Sequence, residues 1–528
     1  MIKRETKQLS ITLIALATIC CLVALDIIFA PQKELWLDET HSALLSTMSF
    51  ERMILFVKGD VHPPLYFIAI WAWQHLFGDS PFALRAFSIF VNSIACVLFF
   101  FLSRTVIQNK YFSLITFILF AFSPVLFWYS VEVRMYALLI LFTVFSIYLL
   151  FKLLYSKSNN LLLNIGVGCA LGLTFYTHYM AVFYIIGVFI FLAYKVIVNK
   201  EQYLKPFITS GMIVFLITAP WYGVLLHQRE AKLHTVITHQ HAKSDKNSLE
   251  YGITPSIGKK NNLSTQLKES ALNLASIAGV YPAENKYFLL LGLLPFLASA
   301  IAFLFLLKTR DDFSIFSIII VATSLIGLIL LIGPVERRYI ILLTPLIILV
   351  LGRSLEKINQ YNSNAALIIS LALIISYTVG VYRIIKHHYD KPTVELIDTL
   401  KSRTTPGQLV VINSIHGQIP IEYYAKQLNF SLTDTGFPIS IHKWWDLQKF
   451  KGWGSPVIYM HDIKEFMNQL VVKRRLNQFW LVLFESTHYD PDGHLLAYLK
   501  ANTHSVSLIN IYKYNKADVY QLYYIKIK

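Results

Sequence analysis

Residues 9–42 read LSITLIALATICCLVALDIIFAPQKELWLDETHS, a long apolar run that ends at two adjacent carboxylates, Asp38 and Glu39. The apolar part is about as long as the ~20 residues that a helix needs to cross a bilayer. A basic start precedes it and no convincing small-residue cleavage site follows it, so we interpret it as a retained first span. The acidic pair therefore lies at the membrane edge, either as solvated loop or as the beginning of an active site.

The composition predicts an integral membrane protein. Of 528 residues, 55% are hydrophobic and only 15% are charged, whereas about a quarter are charged in soluble proteins. The net charge of +16 lies largely in short loops between apolar segments, and no basic stripe with interleaved aromatics indicates nucleic-acid binding. No disulfide framework is predicted, because the four cysteines lie in or beside apolar segments: Cys20, Cys21, Cys96 and Cys169.

We predict about eleven spans, and a Trp-rich helix at 62–77 that lies at the membrane interface. The spans are 9–30, 82–103, 111–128, 135–154, 161–176, 180–198, 207–226, 287–307, 313–333, 339–352 and 365–385. The positive-inside rule then gives a multi-pass protein of the plasma (inner) membrane with a cytoplasmic N-terminus. A first outer loop, 31–81, a large outer loop, 227–286, and the C-terminal residues fall outside.

The pattern changes at residue 386 to that of a water-soluble α/β unit. QLVVIN and QFWLVLFES are typical of buried strands, IPIEYYAKQL and HLLAYLKA are typical of helices, and TTPGQ indicates a turn. We therefore predict a polytopic α-helical membrane domain, residues 1–385, followed by an extracytoplasmic α/β domain, residues 386–528.

Four polar clusters fall at the predicted outer ends of apolar segments. They are the Asp38–Glu39 pair, GDVHPPLY (59–66), YSVEVRMYA (129–137) and GPVERRYI (333–340). A carboxylate can take a proton from a hydroxyl, while arginine and histidine can neutralise a phosphate leaving group. Each cluster alone has an ordinary explanation, such as loop solvation, a helix cap, a snorkelling arginine or a local ion pair. Their shared side of the membrane favours the active-site interpretation.

The motif order LDET, HPPLYF before LFGDSPFALRAFS, FSPVLFWYSVEVRMYALL and ERRYIILLTP resembles the family-39-type glycosyltransferases. These are GT-C membrane enzymes related to protein O-mannosyltransferases and to the aminoarabinose transferase of lipid A. The resemblance covers residues 9–385 and extends weakly into the outer domain. It implies a GT-C fold, a polyisoprenyl-phosphate sugar donor, and inverting transfer to a hydroxyl of a glycolipid, of lipid A or of a protein.

The resemblance also implies roles for individual residues. Asp38 would be the catalytic base, and Glu39 would orient the substrate. The residues implied in donor-phosphate binding are His62, Arg134, Arg338 and, as an alternative, Arg337. His62 stands where aminoarabinose-transferase-like members have lysine, which favours the mannosyltransferase-like pattern. Further candidates for substrate contact are Asp60 and Tyr339, whereas we expect Arg85 and Ser88, which also match the family, to serve packing. His178, in YTHYM at another predicted outer loop, is also a candidate for substrate contact, with a tight turn between two helices as the alternative explanation.

The segment HQREAKLHTVITHQH, residues 227–241, contains four histidines, and a His-x-His pair can contribute two zinc ligands. No cysteine lies nearby, so we assign neither metal ligands nor a cofactor, and a divalent metal, a flap over the site and a solvated loop stay open. Two other function classes stay open as well. One is a transporter or flippase of lipid-linked saccharide, although the conspicuous charges lie at span ends and no related halves are seen. The other is a scaffold whose outer domain binds a partner.

Overall fold

The computed structural model describes residues 2–156, 160–228, 295, 297–305, 308–331, 337–437, 460–470, 476–484, 493–514 and 517–527. Helix α1, Ile2–Phe29, contains the first apolar run. The predicted first outer loop contains three helices, which are α2 (Leu37–Ser46), α3 (Phe50–Gly59) and α4 (Leu65–Phe77). Helix α2 begins with Asp38 and Glu39 in its first turn, where the helix dipole favours negative charge.

Further helices of the membrane domain lie in the described ranges before residue 332. The principal ones are α5 (Pro81–Val106), α6 (Lys110–Ala121), α7 (Pro124–Ser130), α8 (Tyr136–Tyr155), α9 (Leu161–Thr177), α10 (Ala181–Val198), α11 (Lys200–Thr218) and α12 (Asp312–Leu331). A short helix, α13 (Arg337–Ile340), and a 3₁₀ turn precede α14 (Thr344–Tyr361) and α15 (Ser363–Lys386). Within the described ranges, six helices are long and apolar enough to cross a membrane.

The predicted number of eleven spans is not confirmed. The span predicted at 111–128 consists of two helices, α6 and α7, which are bent by 50° at a short break and form either a broken span or a re-entrant loop. Pro124 begins α7, and a proline disfavours helical geometry in the residue before it. The predicted spans at 161–176 and 313–333 coincide with shorter apolar helices, and most of 287–307 lies outside the described residues. Likewise, the span predicted at 339–352 is interrupted by the 3₁₀ turn Ile341–Leu343.

The C-terminal residues form the predicted α/β unit. A five-stranded sheet has the order β2-β1-β3-β5-β4, with β1 parallel to β2 and β3, and β5 antiparallel to β3 and β4. The strands are β1 (Leu409–Ile412), β2 (Thr433–Gly436), β3 (Gln478–Phe484), β4 (Ser505–Tyr514) and β5 (Ala517–Lys526). The helices are α16 (Pro392–Arg403), α17 (Ile415–Gln427), α18 (Met460–Asn468) and α19 (His494–Asn502). The strands and helices predicted from the four quoted segments are confirmed.

The α/β unit packs directly on the membrane domain. One face of its sheet, with Val482, Phe484 and Tyr520, belongs to the same buried apolar cluster as Phe29 of α1. Helix α17 also packs against α2. The helix that carries Asp38 is therefore enclosed between the two parts of the chain.

Candidate active site

Asp38 lies at the centre of a cluster of charged side chains. Its Oδ2 atom is 3.7 Å from Nη2 of Arg134 and 3.5 Å from Nη1 of Arg338. The Asp38 side chain is 30% exposed, so the carboxylate is accessible as well as paired. Three segments far apart in the sequence thus bring the predicted base together with two of the predicted phosphate-binding groups.

Arg134 is buried in the short connection between α7 and α8. Its Nη1 atom donates to the backbone oxygen of Asp38 and to Oγ of Ser42, both at 3.4 Å. Burial alone would lower the pKa of Arg134, but the negative charges of Asp38 and Asp60 raise it. The guanidinium is therefore a fixed positive charge on the wall of the site.

His62 and Asp60 hold the other side of Arg134. Nη2 of Arg134 lies 3.3 Å from Nε2 of His62, and Nδ1 of His62 lies 3.4 Å from Oδ2 of Asp60. Because a guanidinium can only donate, this contact requires a lone pair on Nε2 and places the proton on Nδ1, toward Asp60. Burial by itself would raise the pKa of Asp60, but its contacts with His62, with His41 and with the Val61 amide lower it to about 2. The geometry makes His62 and Asp60 orient Arg134.

His178 supplies a buried neutral imidazole next to these groups. Its ring centroid is 5.8 Å from that of His62 and 6.2 Å from that of Tyr339. Its Nδ1 atom accepts a hydrogen bond of 3.1 Å from the Met180 amide, which leaves the proton on Nε2. Burial lowers the pKa of His178 well below its ordinary value, and the positive charges of Arg134 and Arg338 lower it further. Among the described residues, Nε2 has no hydrogen-bond partner.

The late arginine motif reaches the site through Arg338 and Tyr339 of α13. The guanidinium carbon of Arg338 lies 5.4 Å from the centroid of the Tyr339 ring. Arg338 is 31% exposed at its side chain, in contrast to Arg134 at 3%. The side chain of Arg337, predicted as the alternative, lies outside what the structure describes.

Glu39 has a different environment from its neighbour Asp38. It is fully buried, and its carboxylate accepts from Nη2 of Arg85 at 3.3 Å, from the Val133 amide at 2.9 Å and from the Trp36 amide at 3.2 Å. A buried carboxylate is tolerated when charge and hydrogen bonds compensate it in this way. Glu39 thereby fixes the residue directly before Arg134.

Arg85 and Ser88, which were expected to serve packing, are buried polar anchors. Arg85 donates to the backbone oxygens of Ala30, Lys33 and Glu34 at 2.5, 2.7 and 3.1 Å. Ser88 Oγ donates to the Glu132 backbone oxygen at 2.5 Å. Together with Glu39, these bonds hold the two chain segments that carry Asp38 and Arg134.

Sequence reasoning missed a second buried ion pair, which lies near that of Glu39 and Arg85. Nζ of Lys33 lies 3.6 Å from Oε1 of Glu132 and 4.1 Å from the Trp128 ring centroid. The Trp128 indole also donates to Oε1 of Glu132 at 2.6 Å. The only signal in the sequence is the position of Glu132 two residues before Arg134, and nothing in it distinguishes Lys33 from a solvated loop lysine.

The histidine segment was the only motif proposed for metal binding. His234, His239 and His241 lie outside the described residues. Elsewhere, within the part of the chain that the structure describes, no group of three or more His, Cys, Asp or Glu is arranged to hold a metal ion.

Comparisons with known proteins agree with the predicted family resemblance. Residues 61–223 match the model of the dolichyl-phosphate-mannose-protein mannosyltransferase family. This region contains His62, Arg134 and His178, whereas Asp38 and Arg338 lie on either side of it. Comparison with curated protein sequences finds no significant match.

Solved structures that share the fold include the following two membrane proteins. ArnT from Cupriavidus metallidurans bound to undecaprenyl phosphate has a TM-score of 0.60 and 11% identity, with 98% of each chain covered. The oligosaccharyltransferase from Archaeoglobus fulgidus in its apo form has a TM-score of 0.53 and 12% identity, with 90% of this chain and 70% of that chain covered. The predicted resemblance to GT-C membrane glycosyltransferases is confirmed, and the fold extends over nearly the whole chain.

Proposed function

We propose that this protein transfers a sugar from a polyisoprenyl-phosphate donor to an acceptor hydroxyl at the outer face of the plasma (inner) membrane. The observation that carries the proposal is the meeting of one accessible carboxylate, Asp38, with the guanidiniums of Arg134 and Arg338. The proposed base therefore lies within ion-pair distance of both proposed phosphate-binding groups. The ArnT structure with undecaprenyl phosphate and the matched mannosyltransferase family support this class of donor.

In the proposed reaction, Asp38 takes the proton of the acceptor hydroxyl. The acceptor oxygen attacks the anomeric carbon from the side opposite the phosphate, so the configuration inverts. The bond between that carbon and the phosphate oxygen breaks, and the electron pair leaves with the phosphate. The products are the glycosylated acceptor and polyisoprenyl phosphate. A positioned general base of this kind contributes about 10²–10⁴-fold in rate.

Phosphate binding would fall to Arg134 and Arg338. The leaving phosphate gains negative charge as the glycosidic bond breaks, and fixed positive groups aimed at developing charge stabilise a transition state more than a ground state. Asp60 and His62 would act indirectly, because their hydrogen bonds orient Arg134. Before the donor binds, Asp38 pairs with both arginines, and the phosphate would replace it as their partner.

His178 would donate a hydrogen bond to the donor. Its Nε2–H is buried, has no partner within the described part of the chain and lies in the same cluster as Arg134 and Arg338. A neutral imidazole donor suits an oxygen acceptor, such as a phosphate oxygen. Tyr339, whose ring packs near both His178 and Arg338, would line the same subsite.

Glu39 would act as a positioning residue. Its carboxylate is enclosed by Arg85 and two backbone amides, which leaves it no access to substrate. It would hold Asp38 and Arg134 in register, because it sits beside the first and bonds to the residue before the second.

The proposed outer location follows from the donor and from the charge pattern. The inner connections carry lysine and arginine when the N-terminus is cytoplasmic. A lipid carrier suits a site at the membrane edge, because its tail can stay in the hydrocarbon while its head reaches the charged cluster. The acceptor would be a glycolipid, lipid A or a protein hydroxyl.

The test is a comparison of the envelope glycolipids and glycoproteins of deletion and wild-type cells by mass spectrometry, followed by reconstitution of the purified protein. The proposal expects one glycan to lose a single sugar in the deletion strain and to regain it with the wild-type gene but not with Asp38→Asn. Unchanged glycans would contradict it. Movement of lipid-linked saccharide across proteoliposomes without a transferred sugar would establish the flippase alternative instead.

A further inference from the structure

The chain segment directly before α2, residues 30–36, is held from two sides. On the membrane-domain side, the Arg85 guanidinium donates hydrogen bonds to the backbone oxygens of Ala30, Lys33 and Glu34. One guanidinium therefore accounts for three carbonyl groups of this segment. Polar groups of Pro31, Glu34 and Leu35 in the same segment bond to the C-terminal domain.

On the C-terminal side, the hydroxyl of Tyr424 accepts a hydrogen bond of 2.6 Å from the Leu35 amide. The Glu34 carboxylate accepts from the amides of Thr393 and Val394 at 3.1 and 3.2 Å, and from Oγ1 of Thr393 at 2.7 Å. Leu35 is fully buried, and Tyr424 is 5% exposed. A buried amide that loses its partner is costly, so these bonds restrain where the segment can lie.

Helix α17, which contains Tyr424, also contacts a second segment of the membrane domain. The Tyr423 hydroxyl and Nε2 of Gln427 donate to the Asp79 backbone oxygen at 2.9 and 3.1 Å, and Nζ of Lys426 lies 2.6 Å from the Asp79 carboxylate. Asp79 lies two residues before α5, the helix of Arg85. Helix α17 thus contacts the residues just before α2 and just before α5, the two helices that contain Glu39 and Arg85.

We infer that helix α17 of the C-terminal domain positions Asp38 for the reaction, so that the domain is a working part of the active site. This inference rests on the proposed function and assigns the domain a role in it. Asp38 lies three residues after Leu35, in the first turn of α2, and α17 packs on α2 itself. A displacement of a catalytic group by about 1 Å can cost about 100-fold in rate.

The effect should fall on turnover more than on donor affinity. Arg134, His178 and Arg338 lie outside residues 30–36, the segment that α17 restrains, so the proposed phosphate subsite stays in place when that segment shifts. A general loss of structure would instead weaken binding and turnover together.

The experiment compares two neighbouring tyrosines in the full-length protein. Tyr424→Phe removes the only side-chain partner that the described residues give to the Leu35 amide. Tyr423→Phe is the matched variant, because Gln427 still donates to the same Asp79 oxygen. Tyr523→Phe removes a hydroxyl that donates to Gln521 within the sheet. It serves as the control, with kcat and hydrogen exchange expected at the wild-type level.

We expect Tyr424→Phe to lower kcat about tenfold with donor KM and undecaprenyl phosphate affinity within about twofold of wild type. Tyr423→Phe should change kcat less than threefold. Hydrogen exchange of the peptide covering residues 31–46 should be about tenfold faster in Tyr424→Phe than in Tyr523→Phe, a readout that needs no sugar substrate.

Wild-type kcat and exchange in Tyr424→Phe would overturn the inference while leaving the proposed function intact. Equal losses of kcat and lipid affinity, with a lower unfolding temperature, would also overturn it by showing a merely structural contact. Failure of the wild-type protein to bind undecaprenyl phosphate would instead count against the proposed function.

Discussion

Nη2 of Arg134 lies 3.7 Å from Oδ2 of Asp38, although 96 residues separate the two along the chain. The pairing joins the first turn of α2 to the connection between α7 and α8. It is reinforced by the backbone, because the same guanidinium donates to the Asp38 carbonyl oxygen. The proposed base and the proposed phosphate ligand are therefore parts of one site whose geometry is fixed from several directions.

Removing either arginine should weaken binding of undecaprenyl phosphate. A hydrogen bond to a charged group is worth about 1.5–3 kcal/mol, so Arg134→Gln should lower affinity about 10- to 100-fold. Arg338→Gln should cost less and depend more on salt, because Arg338 is ten times as exposed as Arg134. Arg353→Gln is the control, since Arg353 pairs with Glu356 and Asp311 in a separate cluster. Binding measured in detergent at two salt concentrations would show this order, and equal affinity in all variants would contradict it.

The buried pair of Arg85 and Glu39 should matter for stability. Removing one partner of a buried ion pair leaves an uncompensated charge and typically costs about 3–5 kcal/mol, so Arg85→Met should lower the unfolding temperature strongly. Glu39→Gln should cost less, because the amide oxygen can still accept from the Val133 amide. The double variant should be more stable than the sum of the two single losses predicts. Additive effects in thermal unfolding would contradict this coupling.

His178 should make the protein sensitive to acid. Burial lowers the pKa of His178 well below its ordinary value of 6.5, and the positive charges of Arg134 and Arg338 lower it further. As pH falls below about 6.5, the unfolded chain binds a proton at this histidine that the folded chain does not bind, so folding becomes less favourable. At about 1.36 kcal/mol per pH unit, the loss is about 2 kcal/mol between pH 6.5 and 5.

The free energy of unfolding of His178→Gln should therefore decrease less steeply than that of wild type as pH falls. The measurement is the unfolding free energy or unfolding temperature of both proteins at pH 6.5 and pH 5. His388→Gln is the control, because His388 is exposed and its removal should keep the wild-type slope. Parallel curves for wild type and His178→Gln would show that His178 titrates normally in the folded protein.

The sequence motifs predicted which residues belong to the site, but they did not predict how deeply a side chain is buried or which distant residue it contacts. The LDET, HPPLYF and ERRY motifs located Asp38, His62 and Arg338, and the topology placed them together. Glu39 was expected to orient substrate, but a sequence does not show that Arg85, 46 residues away, meets its carboxylate in the interior. The bend between α6 and α7 follows from Pro124, yet hydropathy alone runs through it as one span.

The partnership between the two domains was equally hidden. Tyr424 contacts Leu35 across 389 residues, and neither position belongs to a motif. Local patterns correctly predicted the strands and helices of the C-terminal unit, because alternation and turn residues are local signals. Its docking onto the segment before α2 depends on long-range hydrogen bonds that periodicity does not encode.

Asp38→Asn in the purified full-length protein tests the central claim most directly. The asparagine keeps the size of the side chain but removes the base, and it also removes the anion that pairs with Arg134 and Arg338. We predict that sugar transfer falls at least 100-fold while undecaprenyl phosphate binds as tightly as to wild type or more tightly. Transfer at the wild-type rate by Asp38→Asn would contradict the account.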